Sequence, residues 1–190
     1  MTVPAPGVAG RYGARVRTPE APMAFTWGEF VRGAGWGWWT FQWMFPLSYP
    51  VMLIVMALWS PNPFESMANA VSWAFLGILM SAFYALPWSI GTLVLIGGPS
   101  AWVLGLAFRR VESFRVHLVA FALLGALVGA VVGWIAGTSM TIAASAAAFA
   151  IDGAIVTGAS VAYGWRRTAT RALADDALFL EQASAEATRG

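Results

Sequence analysis

The sequence contains no cysteine and no lysine, and it has few charged residues of any kind. Without cysteine, the chain has no disulfides, no thiolate metal ligands and no thiol nucleophile. Charged residues make up 11% of the 190 positions, against about a quarter in a typical soluble domain. So few charged residues are not enough to solvate the surface of a folded soluble domain. The hydrophobic fraction of 59% is also too large to bury in one small core. The composition therefore excludes a soluble domain and predicts the lipid bilayer as the solvent.

Sequence motifs for enzyme chemistry are also missing. There is no nucleophile elbow, phosphate-binding loop, metal-binding His/Glu cluster or pair of carboxylates. The chain has a single histidine, and its net charge of +2 is too small to indicate a nucleic-acid partner. We therefore expect no enzyme activity, no cofactor, no metal site and no binding of nucleic acid.

The N-terminal region, residues 1–35, is predicted to be a short tail in the cytoplasm. It holds four prolines and four arginines without a long apolar run, so it does not resemble a cleaved signal peptide. Its first 20 residues are expected to be disordered. Thr26 and Glu29 have the spacing of a capping box, which predicts a brief helix lying on the membrane surface.

Long apolar segments predict an all-α fold with four transmembrane helices. About 20 apolar residues are needed to cross a hydrocarbon core of about 30 Å. The predicted spans are residues 37–59, 70–96, 116–136 and 141–163, within a transmembrane domain over residues 36–164. The second span is predicted to end at the breaker Gly97-Gly98-Pro99. Residues 165–190 are predicted to continue the fourth helix as a cytoplasmic helical tail.

The arginines decide the predicted orientation, because positively charged loops stay in the cytoplasm. With four spans, all 11 arginines lie in the N-terminal tail, the loop between spans two and three, or the C-terminal tail. Dividing the second apolar run into two spans would place the last seven of them outside, so four spans are favoured. Tryptophans near both ends of the spans agree with this topology. The prediction is a multi-pass protein of the plasma (inner) membrane with both termini in the cytoplasm.

Small residues recur every four positions in the last two spans. Inside lipid, close approach of backbones over small residues is a main source of helix association. Span three carries Gly125, Gly129, Gly133 and Gly137, and span four carries Ala146, Ala150, Ala154, Gly158 and Ala162. The two rows predict a tight antiparallel hairpin, and packing within one chain is favoured over the lining of a channel.

Asp152 is the only acid or base deep inside a predicted span. An aspartate there costs about 2.5–3.5 kcal/mol on insertion scales, so exposure to lipid is disfavoured. At about 100° per residue, Asp152 lies about 200° from Ala150 and Ala154, which turns it towards spans one and two or another subunit. The hydroxyl side chains predicted at its depth are Ser48, Tyr49, Ser81 and Tyr84. His117 lies too far along span three to reach it and is expected to face lipid head groups.

Two functions of different class remain open. The favoured hypothesis is a structural or accessory membrane protein that packs with other membrane proteins, in which a neutral Asp152 fixes helix positions by a hydrogen bond. The alternative is a subunit of a small oligomeric transporter or channel that uses Asp152 as a proton or cation site. Because four spans rarely enclose a pathway, the alternative needs a homo-oligomer or a larger membrane protein. The lipid bilayer is a partner in both.

Overall fold

The computed structural model describes Arg17, residues 21–139 and residues 143–188. The helices are α1, Trp27–Leu58; α2, Pro63–Thr92; α3, Gly98–Phe108; α4, Phe114–Thr138; and α5, Ala143–Ala187. The prediction of an all-α protein is confirmed, with four helices long and apolar enough to cross a membrane. The disorder predicted for the first 20 residues concerns positions that, apart from Arg17, lie outside the described residues. The predicted start of the fourth span, Thr141, also lies outside them.

The capping box predicted before the first span is present, but the helix that it opens is a long one. The Glu29 N–H donates to Thr26 Oγ1 at 3.1 Å, and the Thr26 N–H donates to the Glu29 carboxylate at 2.8 Å. The helix then continues without interruption from Trp27 to Leu58. The brief surface helix of the prediction is therefore the first part of α1, because the glycines between residues 33 and 37 do not break its backbone.

Helices α2 and α3 form one helical rod with a π-helical turn, Leu93–Gly97, between them. The Gly98 N–H donates to Leu93 O, and a Cβ at Gly98 would lie 2.7 Å from that oxygen, so glycine fits there best. Pro99 then lies in the first turn of α3 and, having no N–H, does not donate a hydrogen bond to the π-helical turn before it. The predicted breaker Gly97-Gly98-Pro99 thus shifts the hydrogen-bond ladder but does not end the helix, which runs on to Phe108.

The four long helices pack in the spatial order α2, α1, α5, α4. The contact between α4 and α5 is the most extensive in the fold, and α1 lies on another side of α5. Within the described residues, α2 has extended contact with α1 but none with α4 or α5. The π-helical turn and α3 do reach α4. The bundle is therefore closed at the level of α3, whereas farther from α3 a gap separates α2 from α4.

The segment before α1 meets the C-terminal part of α5 at one end of the bundle, which we call the arginine-rich end because the α3–α4 loop brings Arg109 and Arg110 there. Arg17 donates to Glu29 at 2.8 Å and to Asp176 at 2.9 Å. Burial of the guanidinium disfavours its charge, but hydrogen bonds and charge attraction from the two carboxylates outweigh this effect. The pKa of Arg17 is therefore raised above its ordinary value.

An aromatic cluster covers α3 at the arginine-rich end. Trp102 meets the rings of Phe25, Trp27 and Phe30 edge-on, at centroid distances of 5.1, 5.2 and 5.1 Å. The Phe25 ring lies so close to Gly105 that a side chain there would displace it. The segment before α1 is thereby fastened over α3, a helix that the sequence did not predict to follow the second span.

Candidate functional site

Helices α4 and α5 make backbone-to-backbone contact at a pair of glycines. A Cβ on Gly129 would clash with the carbonyl oxygen of Gly153, and a Cβ on Gly153 would clash with the carbonyl oxygen of Gly129. One turn farther along α4, a Cβ on Gly133 would clash with the carbonyl oxygen of Phe149. Backbone atoms have little freedom to move aside, so the helices meet this closely because these positions lack side chains.

The contacting row on α5 is shifted from the row of small residues that the sequence suggested. Its members are Phe149, Gly153, Thr157 and Val161, which face Gly125, Gly129 and Gly133. Of the predicted row, Ala150 lies beside Gly133, and Gly158 lies against Ala122. Ala154 is half-buried, and Gly137 is buried in the last turn of α4. The contact at Gly153 was not predicted, because the alanine series is longer and more regular. A single glycine opposite the middle of the α4 glycines does indicate a close contact.

Asp152 lies on the seam between α5 and α1, where it meets Ser48. Ser48 Oγ is 3.0 Å from Asp152 Oδ2 and also 2.8 Å from the carbonyl oxygen of Phe45. A serine hydroxyl carries one proton, so it does not donate to both acceptors at full strength. The Ser48 hydroxyl donates to Asp152 Oδ2 and so ties α1 to α5 at this point.

The other three hydroxyl side chains predicted at this depth have different surroundings. The ring of Tyr49 packs against Gly77 on α2. Ser81 is buried and donates to a carbonyl of its own helix at 3.1 Å, while Tyr84 is 66% exposed. Ser81 and Tyr84 belong to α2, which packs on α1 and has no extended contact with the helix of Asp152. Counting residues along each helix gave their depth but not which helices are neighbours.

A cavity of about 610 Å³ lies between the helices and faces the gap between α2 and α4. Its volume falls within the range of about 300–1,000 Å³ that is usual for small-molecule sites. The four long helices all contribute to the lining, which includes Phe45, Tyr84, Val128 and Phe149. Along α4 and the residue that follows it, the lining extends from Phe121 to Ser139, about 18 residues or about 27 Å. Asp152 is not among the lining residues.

At the arginine-rich end, the protein encloses a hydroxyl group that has no hydrogen-bond partner. Thr168 lines the cavity and is 8% exposed, and its Oγ1 is buried without a partner. Arg17 and Glu29 line the same end of the cavity. Leaving a buried donor unsatisfied costs about 1–3 kcal/mol, and the Thr168 hydroxyl oxygen lies close to Gly33 of α1 with almost no accessible surface.

His117 is buried, whereas the sequence suggested that it faces head groups. It is 2% exposed, its ring stacks on Trp165 at a centroid distance of 5.6 Å, and Phe108 meets it edge-on at 5.9 Å. Its Nδ1 lies 3.0 Å from Ser113 O, and its Nε2 is buried without a partner. The prediction was wrong because it ended the second helix before α3, the helix that carries Phe108 over His117.

A polar contact that the sequence did not reveal joins α1 and α2. Ser89 Oγ lies 3.1 Å from Trp38 Nε1 and 2.6 Å from Gln42 Nε2, and both of these nitrogens donate to it. The sequence placed Trp38 in the interfacial belt of tryptophans. Which residue Trp38 bonds to depends on how α2 packs against α1. No sequence pattern within either helix indicates that packing.

Two features, the Asp152 seam and the cavity, are the candidate sites of this protein. Among the described residues, no group of three or more His, Asp or Glu side chains is placed to hold a metal ion. No protein-family model, curated protein or solved structure matches the chain. The function is therefore inferred from these two features.

Proposed function

We propose that the protein is a structural or accessory component of the plasma membrane, which packs against another membrane protein or a second copy of itself through the surface around Asp152. One observation carries the proposal: Asp152 is half-buried at the edge of the bundle and does not line the cavity. Its neighbours Ile151 and Ile155 are 62% and 65% exposed. The carboxyl group thus borders an apolar surface that faces outwards.

A carboxyl group at this depth is unfavourable against lipid. Asp152 lies about nine residues, or about 14 Å, from the start of α5, near the middle of a core of about 30 Å. An aspartate at the centre of a span costs about 2.5–3.5 kcal/mol. The contact with Ser48 offsets part of this cost. A protein surface placed over Ile151 and Ile155 would remove the remaining exposure to lipid, which supports a packing partner here.

The alternative function, a small oligomeric transporter or channel subunit that uses Asp152 as a proton or cation site, has less support. Such a subunit needs a polar path that reaches the acid. Gly153 and Thr157 line the cavity, while Asp152 is outside its lining and lies about 100° around α5 from Gly153. The cavity wall is also mainly apolar. These observations favour a packing role for the seam.

The proposal includes an orientation, with the arginine-rich end in the cytoplasm. Its support is the positive-inside rule, since Arg109, Arg110 and Arg167 lie at that end. Because the chain has no cysteine, single substitutions report on topology without background. In intact cells, Asn62→Cys should react with a membrane-impermeant maleimide, and Ser184→Cys should react only after permeabilisation. The reverse pattern of labelling would contradict the orientation.

Site-specific photo-crosslinking tests the packing surface. A photoreactive phenylalanine analogue is placed at Ile155, next to Asp152, or at Leu127 on α4, which is 64% exposed and so matches Ile155 at 65%. In native membranes, Ile155 should give a discrete adduct with one protein species or with a second copy of the chain. Leu127 should give adducts with lipid. Adducts with lipid alone at both positions would contradict the proposal.

A flux measurement separates the proposed function from the alternative. The purified protein is reconstituted into liposomes, and proton and cation fluxes are compared with those of protein-free liposomes. We expect no flux above background, and the same result for Asp152→Asn. A flux in the wild type that Asp152→Asn abolishes would instead establish the alternative function, a transporter or channel subunit.

A further inference from the structure

We propose that α1 and α5 form a binding site for the phosphate group of an anionic phospholipid at the arginine-rich end, built around Arg167. The site is separate from the cavity, because neither Arg167 nor its neighbour Trp36 lines it. The inference goes beyond the proposed packing function and does not depend on it. It requires only that the bundle spans a bilayer.

Two aromatic side chains hold the Arg167 guanidinium group in place. Its central carbon lies 3.6 Å from the centroid of the Trp36 ring on α1. Its Nη1 donates to Tyr163 Oη at 2.8 Å, one turn earlier on α5. A guanidinium group is planar and carries five N–H donors along its edge, so stacking on one face leaves the remaining donors free. The group is therefore oriented before a ligand binds, which lowers the entropic cost of binding.

The charge of Arg167 is not neutralised by a carboxylate. Arg17 forms the ion pairs with Glu29 and Asp176, at 2.8 and 2.9 Å. Within the part of the chain that the structure describes, no carboxylate oxygen lies within 4.0 Å of Arg167 or of Arg32. Glu29 is one turn from Arg32 on α1, but its carboxylate pairs with Arg17. Both arginines thus keep their charge available for an anion from outside the chain.

Arg32 supplies a second positive charge beside the site. It is exposed and lies four residues before Trp36 on α1. Residues four apart on a helix are neighbours, about 5–6 Å between Cβ atoms, and helical side chains lean towards the N-terminus. The Trp36 ring therefore leans towards Arg32 and carries Arg167 on its face. Two long basic side chains can reach one phosphate group at this point.

The depth of these residues matches the head groups of the bilayer. Arg167 lies 15 residues after Asp152 on α5, or about 22 Å along the helix. Trp36 lies 12 residues before Ser48, which bonds Asp152, or about 18 Å along α1. With Asp152 near the middle of the bilayer, the hydrocarbon core ends about 15 Å away and the head groups about 20–22 Å away. The two helices place the site independently at the level of lipid phosphates.

The chemistry of the site favours an anionic lipid over a zwitterionic one. An arginine fork binds phosphate oxygens by two parallel hydrogen bonds, and both kinds of lipid offer a phosphate. The quaternary ammonium group of phosphatidylcholine, however, would be repelled by Arg32 and by the exposed Arg166 and Arg171. Anionic lipids lack that group, and one basic side chain near a charged membrane is worth about fivefold in binding.

A titration followed by native mass spectrometry tests the site. The full chain is delipidated in detergent, and phosphatidylglycerol or phosphatidylcholine with the same acyl chains is added in steps. The dissociation constant of the first bound lipid is then measured for each. We expect phosphatidylglycerol to bind at least fivefold more tightly. Inorganic phosphate at millimolar concentration should not displace it, because the acyl chains also contact the apolar surface.

Variants of three arginines separate the site from a general effect of charge. Arg167→Gln removes the fork and should weaken phosphatidylglycerol binding at least tenfold. Arg32→Gln should weaken it about fivefold. Arg110→Gln is the matched control and should change it less than twofold. Arg110 follows Phe108, which meets His117 and through it Trp165, and Trp165 lies about 200° around α5 from Arg167.

A purely structural role of Arg167 would be to fasten α1 to α5 through Trp36. Arg32 distinguishes the two roles, because it is exposed and makes no ion pair or side-chain hydrogen bond within the described residues. Arg32→Gln should therefore leave the thermal unfolding temperature of the delipidated protein unchanged. It should reduce the rise in that temperature on adding phosphatidylglycerol. The test thus remains valid if Arg167→Gln fails to fold.

Three results would overturn the inference. The first is equal affinity for phosphatidylglycerol and phosphatidylcholine. The second is an equal effect of Arg32→Gln and Arg110→Gln, which would mean that charge alone, and not this site, attracts the lipid. The third is displacement of phosphatidylglycerol by inorganic phosphate, which would assign the site to a soluble phosphate compound. A failure of the crosslinking at Ile155 leaves all three measurements unaffected, so the two proposals are tested separately.

Discussion

The two halves of the bundle are joined in different ways. In the α4–α5 half, backbone meets backbone at Gly129 and Gly153. In the α1–α2 half, side chains make the contact, with the Tyr49 ring over Gly77 and the Trp38 indole donating to Ser89. Inside lipid, association depends on how closely helices approach. The comparison shows that small residues give extensive contact, while large ones hold the helices apart and leave a cavity beside them.

Proline adds to the difference between the halves. Helix α1 contains Pro46 and Pro50, and α2 contains Pro87, whereas the sequences of α4 and α5 contain none. Each internal proline removes one helical hydrogen bond and favours a bend. Two helices with these prolines and many aromatic residues present less regular surfaces to each other, and the α1–α2 half is the one that leaves the bundle open.

Substituting the glycine at the centre of the tight half should have the largest effect. Gly129→Ala places a Cβ against the Gly153 carbonyl, and we expect a loss of about 3 kcal/mol of unfolding free energy, the upper range for over-packing. The measurement is a titration of the detergent-solubilised protein with dodecyl sulfate, followed by circular dichroism. Gly91→Ala is the matched control, because nothing lies within 4 Å of a Cβ there. Equal losses in both variants would remove the distinction between the halves.

The second-largest effect is expected from removing the hydrogen bond that links the two halves. Ser48→Ala leaves Asp152 without the partner seen at 3.0 Å, and we expect a loss of about 1–2 kcal/mol of unfolding free energy. Ser72→Ala serves as control, since Ser72 is exposed and bonds only the carbonyl of Ala68 in its own helix. That change should stay within about 0.5 kcal/mol. A Ser48→Ala variant as stable as the control would show that the seam does not depend on this contact.

The looser half should tolerate the same glycine substitution better. Gly77→Ala brings a Cβ to 2.5 Å from the Tyr49 ring, but a ring can rotate aside where a backbone carbonyl cannot. Alanine also gains up to about 1 kcal/mol of helix propensity over glycine. We therefore expect a net loss below about 1 kcal/mol in the same titration. A loss as large as that of Gly129→Ala would mean that both halves are equally rigid.

The smallest effect is expected at the arginine-rich end, outside the apolar core of both halves. Arg17→Gln removes the ion pairs to Glu29 and Asp176, whose side chains are 19% and 49% exposed. Pairs of this kind are worth about 0.2–1 kcal/mol and weaken as salt is added. The difference in unfolding free energy between wild type and variant should shrink between low and high salt. A difference that does not respond to salt would point to a packing role for the Arg17 side chain.

The sequence predicted the helices of this protein better than their contacts. Arginine placement and apolar runs were enough for four membrane-length helices, and the Thr26–Glu29 box was confirmed. The continuation through Gly98 and Pro99 was missed, because the same residues that stop a helix also permit a π-helical turn. The burial of His117 followed from that omission, since it depends on α3.

The candidate sites could be located only from the tertiary structure, for a similar reason. Depth in the membrane is a property of one helix, so Ser48, Ser81 and Tyr84 looked equivalent as partners of Asp152. Neighbourhood is a property of pairs of helices, and only Ser48 lies on the helix and face that reach Asp152. The burial of the Thr168 hydroxyl without a partner has no signature in the sequence at all.

The sequence by itself determined that this chain forms four membrane-length helices and that two of them carry small residues for close packing. It did so because hydrophobicity and helical periodicity are local, and the bilayer imposes a fixed length on each span. Tertiary structure alone decided that Gly153 is the centre of the close contact, that Asp152 faces Ser48, and that a cavity lies beside α2. These features depend on which helix faces meet, and that choice is made by packing between residues far apart in the chain.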